Sequence, residues 1–142
     1  MKIENSDAII CINPISRHIE EEGGPYLDWI VVQVSISTKT FNGACDWSVM
    51  PFEIKKFKDE LSIFYKSLVS GIPSAGSVCL SGIEPHFSLN LELIDLVGHI
   101  SLKYCLHDFP VGPKLQGEFE IDQSYLPQLI GDLDDLLNFQ GE

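Results

Sequence analysis

The chain has 142 residues, of which 44% are hydrophobic, and nine basic residues against 21 acidic ones give a formal net charge of −12. This length and apolar content predict one globular domain over residues 1–142 and exclude a disordered chain. The negative surplus excludes nucleic acid and anionic membranes as favoured partners, since both attract basic proteins. It favours a basic protein partner, although solubility alone would also explain it.

The cysteines predict a reduced protein of the cytoplasm. Cys11, Cys45, Cys79 and Cys105 are isolated in sequence, with no paired spacing of the kind that holds zinc. The N-terminus has no basic region followed by an apolar run, and no stretch is long and apolar enough to span a membrane. We therefore expect reduced, mostly buried thiols in a cytoplasmic protein.

The first 50 residues alternate with the period of β-structure. A short strand is expected from residue 8 to Pro14, and the polar segment 16–27, rich in Glu and Gly, is expected to be a loop. Apolar residues then alternate over 30–36 and again over 41–49. The turn between these two strands predicts an antiparallel hairpin.

Residues 52–68 change to a helical period. The apolar positions fall three or four residues apart and define one stripe: Ile54, Phe57, Leu61, Phe64, Tyr65 and Leu68. Pro51 suits the first helical turn, Glu53 lies near its positive end, and Gly71 follows its end.

The second half returns to strands and ends in a helix. A short strand is expected around residues 78–80, and three longer strands over 87–93, 100–106 and 115–121. A last helix carries the apolar stripe Leu126, Leu129, Ile130, Leu133, Leu136 and Leu137, with Asp122 or Ser124 as its cap. The predicted fold is α+β in the order βββαβββα, which leaves out the short strand at 78–80: one antiparallel sheet of about six to seven strands, with two helices packed on one face.

Neither a metal site nor a cofactor site is predicted. His99, Cys105 and His107 share one face of their strand, but His99 and His107 would stand about 26 Å apart at roughly 3.3 Å per residue. Cys105 and His107 alone supply too few ligands for a structural zinc site. The sequence also lacks the glycine-rich loops that bind nucleotides.

Catalytic residues are not predicted either. Cys105 with His107, or Cys79 with His86, could pair a thiol with a base, but residues two apart in a strand are nearly 7 Å apart at Cα. No third group marks either pair as an activated nucleophile. The carboxylates on or beside strands are best explained as a polar outer face of the sheet: Glu84, Glu92, Glu118 and Glu120.

Two acidic clusters and one tryptophan are the candidates for partner binding. Trp47 shares its strand face with apolar residues and is expected in the core, whereas Trp29 lies on the polar face of its strand. The acidic candidates are Glu20, Glu21 and Glu22 in a loop, and Asp132, Asp134 and Asp135 on the last helix. A merely solvated surface is the alternative for both clusters, and packing under a helix or loop is the alternative for Trp29.

Four segments together resemble a known family. They are the strand Trp29-Ile30-Val31-Val32, the helix with Glu53, Phe57 and Leu61, the Gly98-His99-Ile100 turn, and the helix start Asp122-Gln123-Ser124-Tyr125-Leu126. Together they resemble the WapI-type immunity proteins of bacterial polymorphic toxin systems, with the last segment the most specific.

This resemblance implies an antidote that binds and blocks the toxic C-terminal domain of a secreted toxin. Such toxins include nucleases, which tend to be basic, and the net charge of −12 independently suits a basic partner. The alternatives are a non-catalytic interaction domain with an unknown partner, and a small enzyme or ligand-binding protein with a deep pocket.

Overall fold

The computed structural model describes residues 1–19, 28–72, 76–108 and 111–141. Eight strands and two helices follow in the order ββββαββββα. The strands are β1 (Lys2–Glu4), β2 (Ala8–Ile19), β3 (Asp28–Thr38), β4 (Asn42–Val49), β5 (Ser77–Ser81), β6 (Phe87–Leu93), β7 (His99–His107) and β8 (Lys114–Asp122). The helices are α1 (Pro51–Val69) and α2 (Leu126–Asn138), the latter preceded by one 3₁₀ turn, Gln123–Tyr125.

The strands form two four-stranded antiparallel sheets, in the orders β1-β2-β3-β4 and β5-β6-β7-β8. The predicted class and the two helices are confirmed, but the single sheet of six to seven strands is wrong. Strand β1 has three residues, too few for alternation to be visible in the sequence. Helix α1 separates β4 from β5, so each group of strands pairs only with its own sequence neighbours.

Strand β2 passes the expected stop at Pro14. Pro14 pairs with Val32, Ser16 pairs with Val31, and the register shifts between the two. A bulge lets a strand tolerate a proline, which has no backbone N–H to donate to the ladder. Residues 16–19, expected in a loop, are therefore strand and pair with 28–31.

Both sheets turn their apolar face to a shared interior. The buried positions follow the predicted alternation, as in Ile30, Val32, Val34 and Ile36 of β3. Buried residues of both sheets and both helices form one hydrophobic cluster. The helices pack on each other, α1 also contacts β5 and β3, and α2 also contacts β1, so they do not simply cover one sheet.

Trp47 connects the two sheets. Its ring is buried, as predicted, and lies edge-on to Phe87 of β6, with centroids 5.6 Å apart. The indole Nε1 donates to the carbonyl oxygen of Glu84 at 2.7 Å, which satisfies the polar end of the buried ring. A β4 side chain thus binds the loop that leads into β6.

Glu53 holds the same junction from α1. One carboxylate oxygen accepts from the backbone N–H of Met50 at 3.0 Å, at the helix start. The other oxygen accepts from the backbone N–H of Ile83 at 3.0 Å, in the loop between β5 and β6. A residue expected near the helix start for its charge therefore also binds the second sheet.

Arg17 attaches the end of α2 to the first sheet. Its guanidinium binds Asp28 through two hydrogen bonds of 3.0 and 2.8 Å. Its Nη1 donates to the carbonyl oxygens of Leu137 at 3.0 Å and Phe139 at 2.8 Å. A cation at a helix C-terminus donates hydrogen bonds to the free carbonyls and interacts favourably with the negative end of the helix dipole.

We expect Glu53→Gln to lower the free energy of unfolding by about 1–3 kcal/mol, because an amide NH₂ would face one of the two backbone donors. Glu60→Gln is the matched control on the same helix, since Glu60 makes a 3.9 Å surface ion pair with Lys56. Its cost should stay below about 0.5 kcal/mol. Urea unfolding measures both, and equal costs for the two variants would contradict the bridging role of Glu53.

Candidate partner-binding surfaces

The three α2 aspartates differ in the contacts that their carboxylates make with the rest of the chain. Asp132 accepts from the backbone N–H of Lys2 at 3.2 Å and from Gln128 Nε2 at 2.7 Å. Asp134 forms an ion pair with Lys58 of α1. Asp135 is exposed. Two of the three predicted contact residues therefore also hold the fold together, and Asp135 can be tested without breaking such a contact.

The N-terminus lies beside these aspartates. The Met1 ammonium donates to the carbonyl oxygen of Ile12 at 2.7 Å. Burial lowers the pKa of this amino group, while the charges of Asp132, Cys11 and Asp135 act in the opposite direction. The carboxylates of Asp132 and Asp135 are therefore close enough to Met1 to interact electrostatically with its amino group.

Trp29 is half-buried on the outer face of the first sheet, as its polar parity predicts, and pairs across the strands with His18. Glu20, Glu21 and Glu22 lie outside the described residues. The ends of that segment are described, however, and Ile19 pairs with Asp28. Through Arg17, this end of the sheet also contacts the end of α2.

A further acidic surface lies on the outer face of the second sheet. Glu118, Glu120 and Asp122 project from β8, and Glu92 projects from β6. Glu120 pairs with Ser101, and Ser101 pairs with Glu92, so one row across the sheet carries two carboxylates. The sequence placed these glutamates on a polar face, but their adjacency depends on the strand order β6-β7-β8.

His99 lies at one end of this acidic surface, opposite Asp122 in the strand pairing. Its Nδ1 lies 2.6 Å from Asp95 Oδ2. The hydrogen bond and charge of Asp95 raise the pKa of His99, and the charges of Glu120 and Asp122 raise it further. The pKa of Asp95 is lowered mainly by the same hydrogen bond, with help from the N–H groups of His99 and Val97.

The outer face of β7 carries His99, Cys105 and His107, as predicted. Within the described ranges, no three His, Cys, Asp or Glu side chains are grouped to hold a metal ion. Cys105 and His107 nevertheless approach closely: Sγ lies 3.0 Å from Nε2. The Cα separation of nearly 7 Å did not indicate this contact, because the two side chains converge above the strand.

A family model, described as the immunity protein WapI-like family, matches residues 2–139. The chain belongs to this family. The match covers both sheets and both helices, so the resemblance inferred from four segments extends over nearly the whole chain. No curated protein shows a significant match to this WapI-like chain.

Solved plant structures share the fold of this WapI-like chain. WHY3 from Arabidopsis thaliana is 13% identical, with a TM-score of 0.53 over 96% of this chain and 85% of its own. WHY1 from the same plant is 12% identical, with a TM-score of 0.53 over 96% and 87%. The plant transcriptional regulator PBF-2 is 12% identical, with a TM-score of 0.52 over 96% and 79%.

At such identities the likeness concerns the fold alone.

Neither described helix combines the length and apolar character needed to span a bilayer.

The His99–Asp95 pair gives a pH prediction. The raised pKa of His99 means that its contribution to stability is complete below pH 6.5 and is lost as pH rises through the folded-state value. The lowered pKa of Asp95 means that its contribution is present above pH 3.8 and is lost as pH falls through its folded-state value.

NMR titration of the His99 ring should give a midpoint above 6.5, and Asp95→Asn should lower that midpoint. Asp59→Asn, remote on α1, serves as the control and should leave it unchanged. A His99 midpoint that does not respond to Asp95→Asn would contradict the pairing.

Proposed function

We propose that the chain is a non-catalytic antidote that binds the toxic C-terminal domain of a cognate polymorphic toxin in the cytoplasm and occludes its active surface. The family match over residues 2–139 carries this proposal. The net charge of −12 supports a basic toxin domain, such as a nuclease, as the partner. Carboxylates placed where a nuclease binds phosphates would occupy its active site.

The pairing of the lysines supports an acidic binding surface. Lys2 pairs with Glu4, Lys55 with Asp59, Lys56 with Glu60 and Lys58 with Asp134. These lysines are thus already paired with carboxylates of the same chain, and acidic side chains remain in excess. The negative electrostatic field of this excess accelerates the encounter with a basic partner, and salt weakens the attraction.

For the contact residues we propose the two acidic clusters and Trp29. In this proposal Trp29 supplies apolar burial, and charge comes from Glu20, Glu21, Glu22, Asp132, Asp134 and Asp135.

The direct experiment is co-purification with the toxic domain encoded beside this gene, followed by affinity measurements at two salt concentrations. We expect a 1:1 complex that is weakened by salt. Absence of a complex with that domain would overturn the proposal and favour an interaction domain with another partner.

Charge reversal tests the contact residues. Asp135→Lys should weaken toxin binding roughly tenfold, about 1.4 kcal/mol, and combined Lys substitutions at Glu20, Glu21 and Glu22 should weaken it further. Asp59→Lys makes the same change in net charge as Asp135→Lys on an exposed part of α1 and should have a smaller effect. If neither cluster affects the affinity, electrostatic recognition through these residues is wrong.

If, instead, Lys substitutions at Glu92, Glu118 and Glu120 abolish binding, the toxin contacts the outer face of the second sheet. That result would retain the antidote function and correct its location. The three sets of variants therefore separate the function from the position of the interface.

A further inference from the structure

The outer face of the second sheet brings a thiol and an imidazole together. Cys105 and His107 lie two residues apart on β7, so both side chains project from the same face. Cys105 Sγ lies 3.0 Å from His107 Nε2. That distance allows the proton of the thiol to pass to the ring.

His107 is held by two contacts of its backbone with His86. Its backbone N–H donates to the carbonyl oxygen of His86 at 2.8 Å, and its carbonyl oxygen lies 3.0 Å from the Nδ1 of His86. The Nδ1 of His107 is buried and has no hydrogen-bond partner among the described residues. The other ring nitrogen, Nε2, has the sulfur of Cys105 within hydrogen-bonding distance.

The thiol opens into a surface depression of about 440 Å³. Its polar walls include Lys103 and Glu118, which are direct partners across β7 and β8. Asn90 and Gln116 add neutral hydrogen-bonding groups, and Gln116 Oε1 lies 4.0 Å from Cys105 Sγ. An ammonium and a carboxylate side by side complement the carboxylate and ammonium of an amino-acid-type ligand.

We propose that Cys105 is a nucleophilic thiol that forms a mixed disulfide with a low-molecular-weight aminothiol disulfide, with His107 as the base. The sulfur of Cys105 attacks one sulfur of the ligand disulfide while its proton passes to His107 Nε2. The S–S bond of the ligand breaks, the departing sulfur takes the electron pair, and it receives the proton from His107. One protein thiol and one ligand disulfide thus give one mixed disulfide and one free thiol.

The other cysteines provide internal comparisons. Cys79 is exposed, whereas Cys105 is half-buried, so accessibility alone predicts that Cys79 reacts first. Cys45 is half-buried like Cys105, and burial, followed by the charges of Asp46 and Asp108, raises the pKa of its thiol. An activated Cys105 reverses the order that exposure predicts.

The test treats the whole chain with cystine at neutral pH and follows each cysteine by peptide mass spectrometry. We expect Cys105 to be modified about tenfold faster than Cys79, and His107→Gln to remove this advantage while the rate at Cys79 stays unchanged. The rate at Cys45 in each variant reports unfolding, because unfolding would expose this half-buried thiol and accelerate its reaction.

Faster reaction at Cys79 in the unmodified protein would overturn the proposal without any variant. A Cys105 rate that does not respond to His107→Gln would also overturn it. Lys103→Gln provides the test of ligand recognition: it should slow the reaction with cystine but leave the reaction with uncharged hydroxyethyl disulfide unchanged. Equal effects on the two probes would show that Lys103 does not bind the carboxylate.

Discussion

The junction at Trp47 and Glu53 is the constraint on which the two-sheet arrangement depends. Each sheet has one apolar face, and neither face can remain in water, so the sheets and the helix pair share one hydrophobic cluster. Trp47 binds the carbonyl of Glu84, and Glu53 binds the backbone N–H of Ile83, so two adjacent links join the first sheet and α1 to the same short loop. Apolar packing is not directional, whereas these hydrogen bonds specify where the sheets meet.

Burial of the inner faces leaves the outer faces available for charge. Alternation along β7 and β8 sends Leu102 and Phe119 into the core while Lys103 and Glu118 project outward. Substitutions on the outer faces therefore change electrostatics with little effect on the core. This separation suits an antidote, whose fold must persist while its surface matches a particular toxin.

The sequence predicted those elements in which periodicity continued long enough to be recognised. The alternation of β3 and of β6 to β8 and the stripe of α1 matched the structure. Of the two caps predicted for the last helix, Asp122 caps the 3₁₀ turn that precedes it, whereas α2 itself begins after Tyr125 without a side-chain cap. Pro14 was misinterpreted because a bulge can absorb a missing donor, which composition does not reveal. The division into two sheets depends on long-range pairing that local patterns do not encode.

The candidate sites show the same limit. The charge of the α2 aspartates was visible in the sequence, but the contacts of Asp132 with Lys2 and of Asp134 with Lys58 join distant parts of the chain. The row of Glu92 and Glu120 requires the strand order, and the approach of Cys105 to His107 requires side-chain rotamers. Local spacing therefore identified the residue types, whereas tertiary structure determined which of them meet.

The proposed function is stoichiometric occlusion of a toxin by a non-catalytic partner. The most direct measurement titrates the activity of the cognate toxic domain, held well above the dissociation constant, with increasing amounts of this chain. Stoichiometric occlusion predicts a linear loss of toxin activity that reaches zero at one equivalent, and the activity should return when the complex is dissociated. Loss of activity at far less than one equivalent, or a toxin that stays inactive after separation, would contradict it.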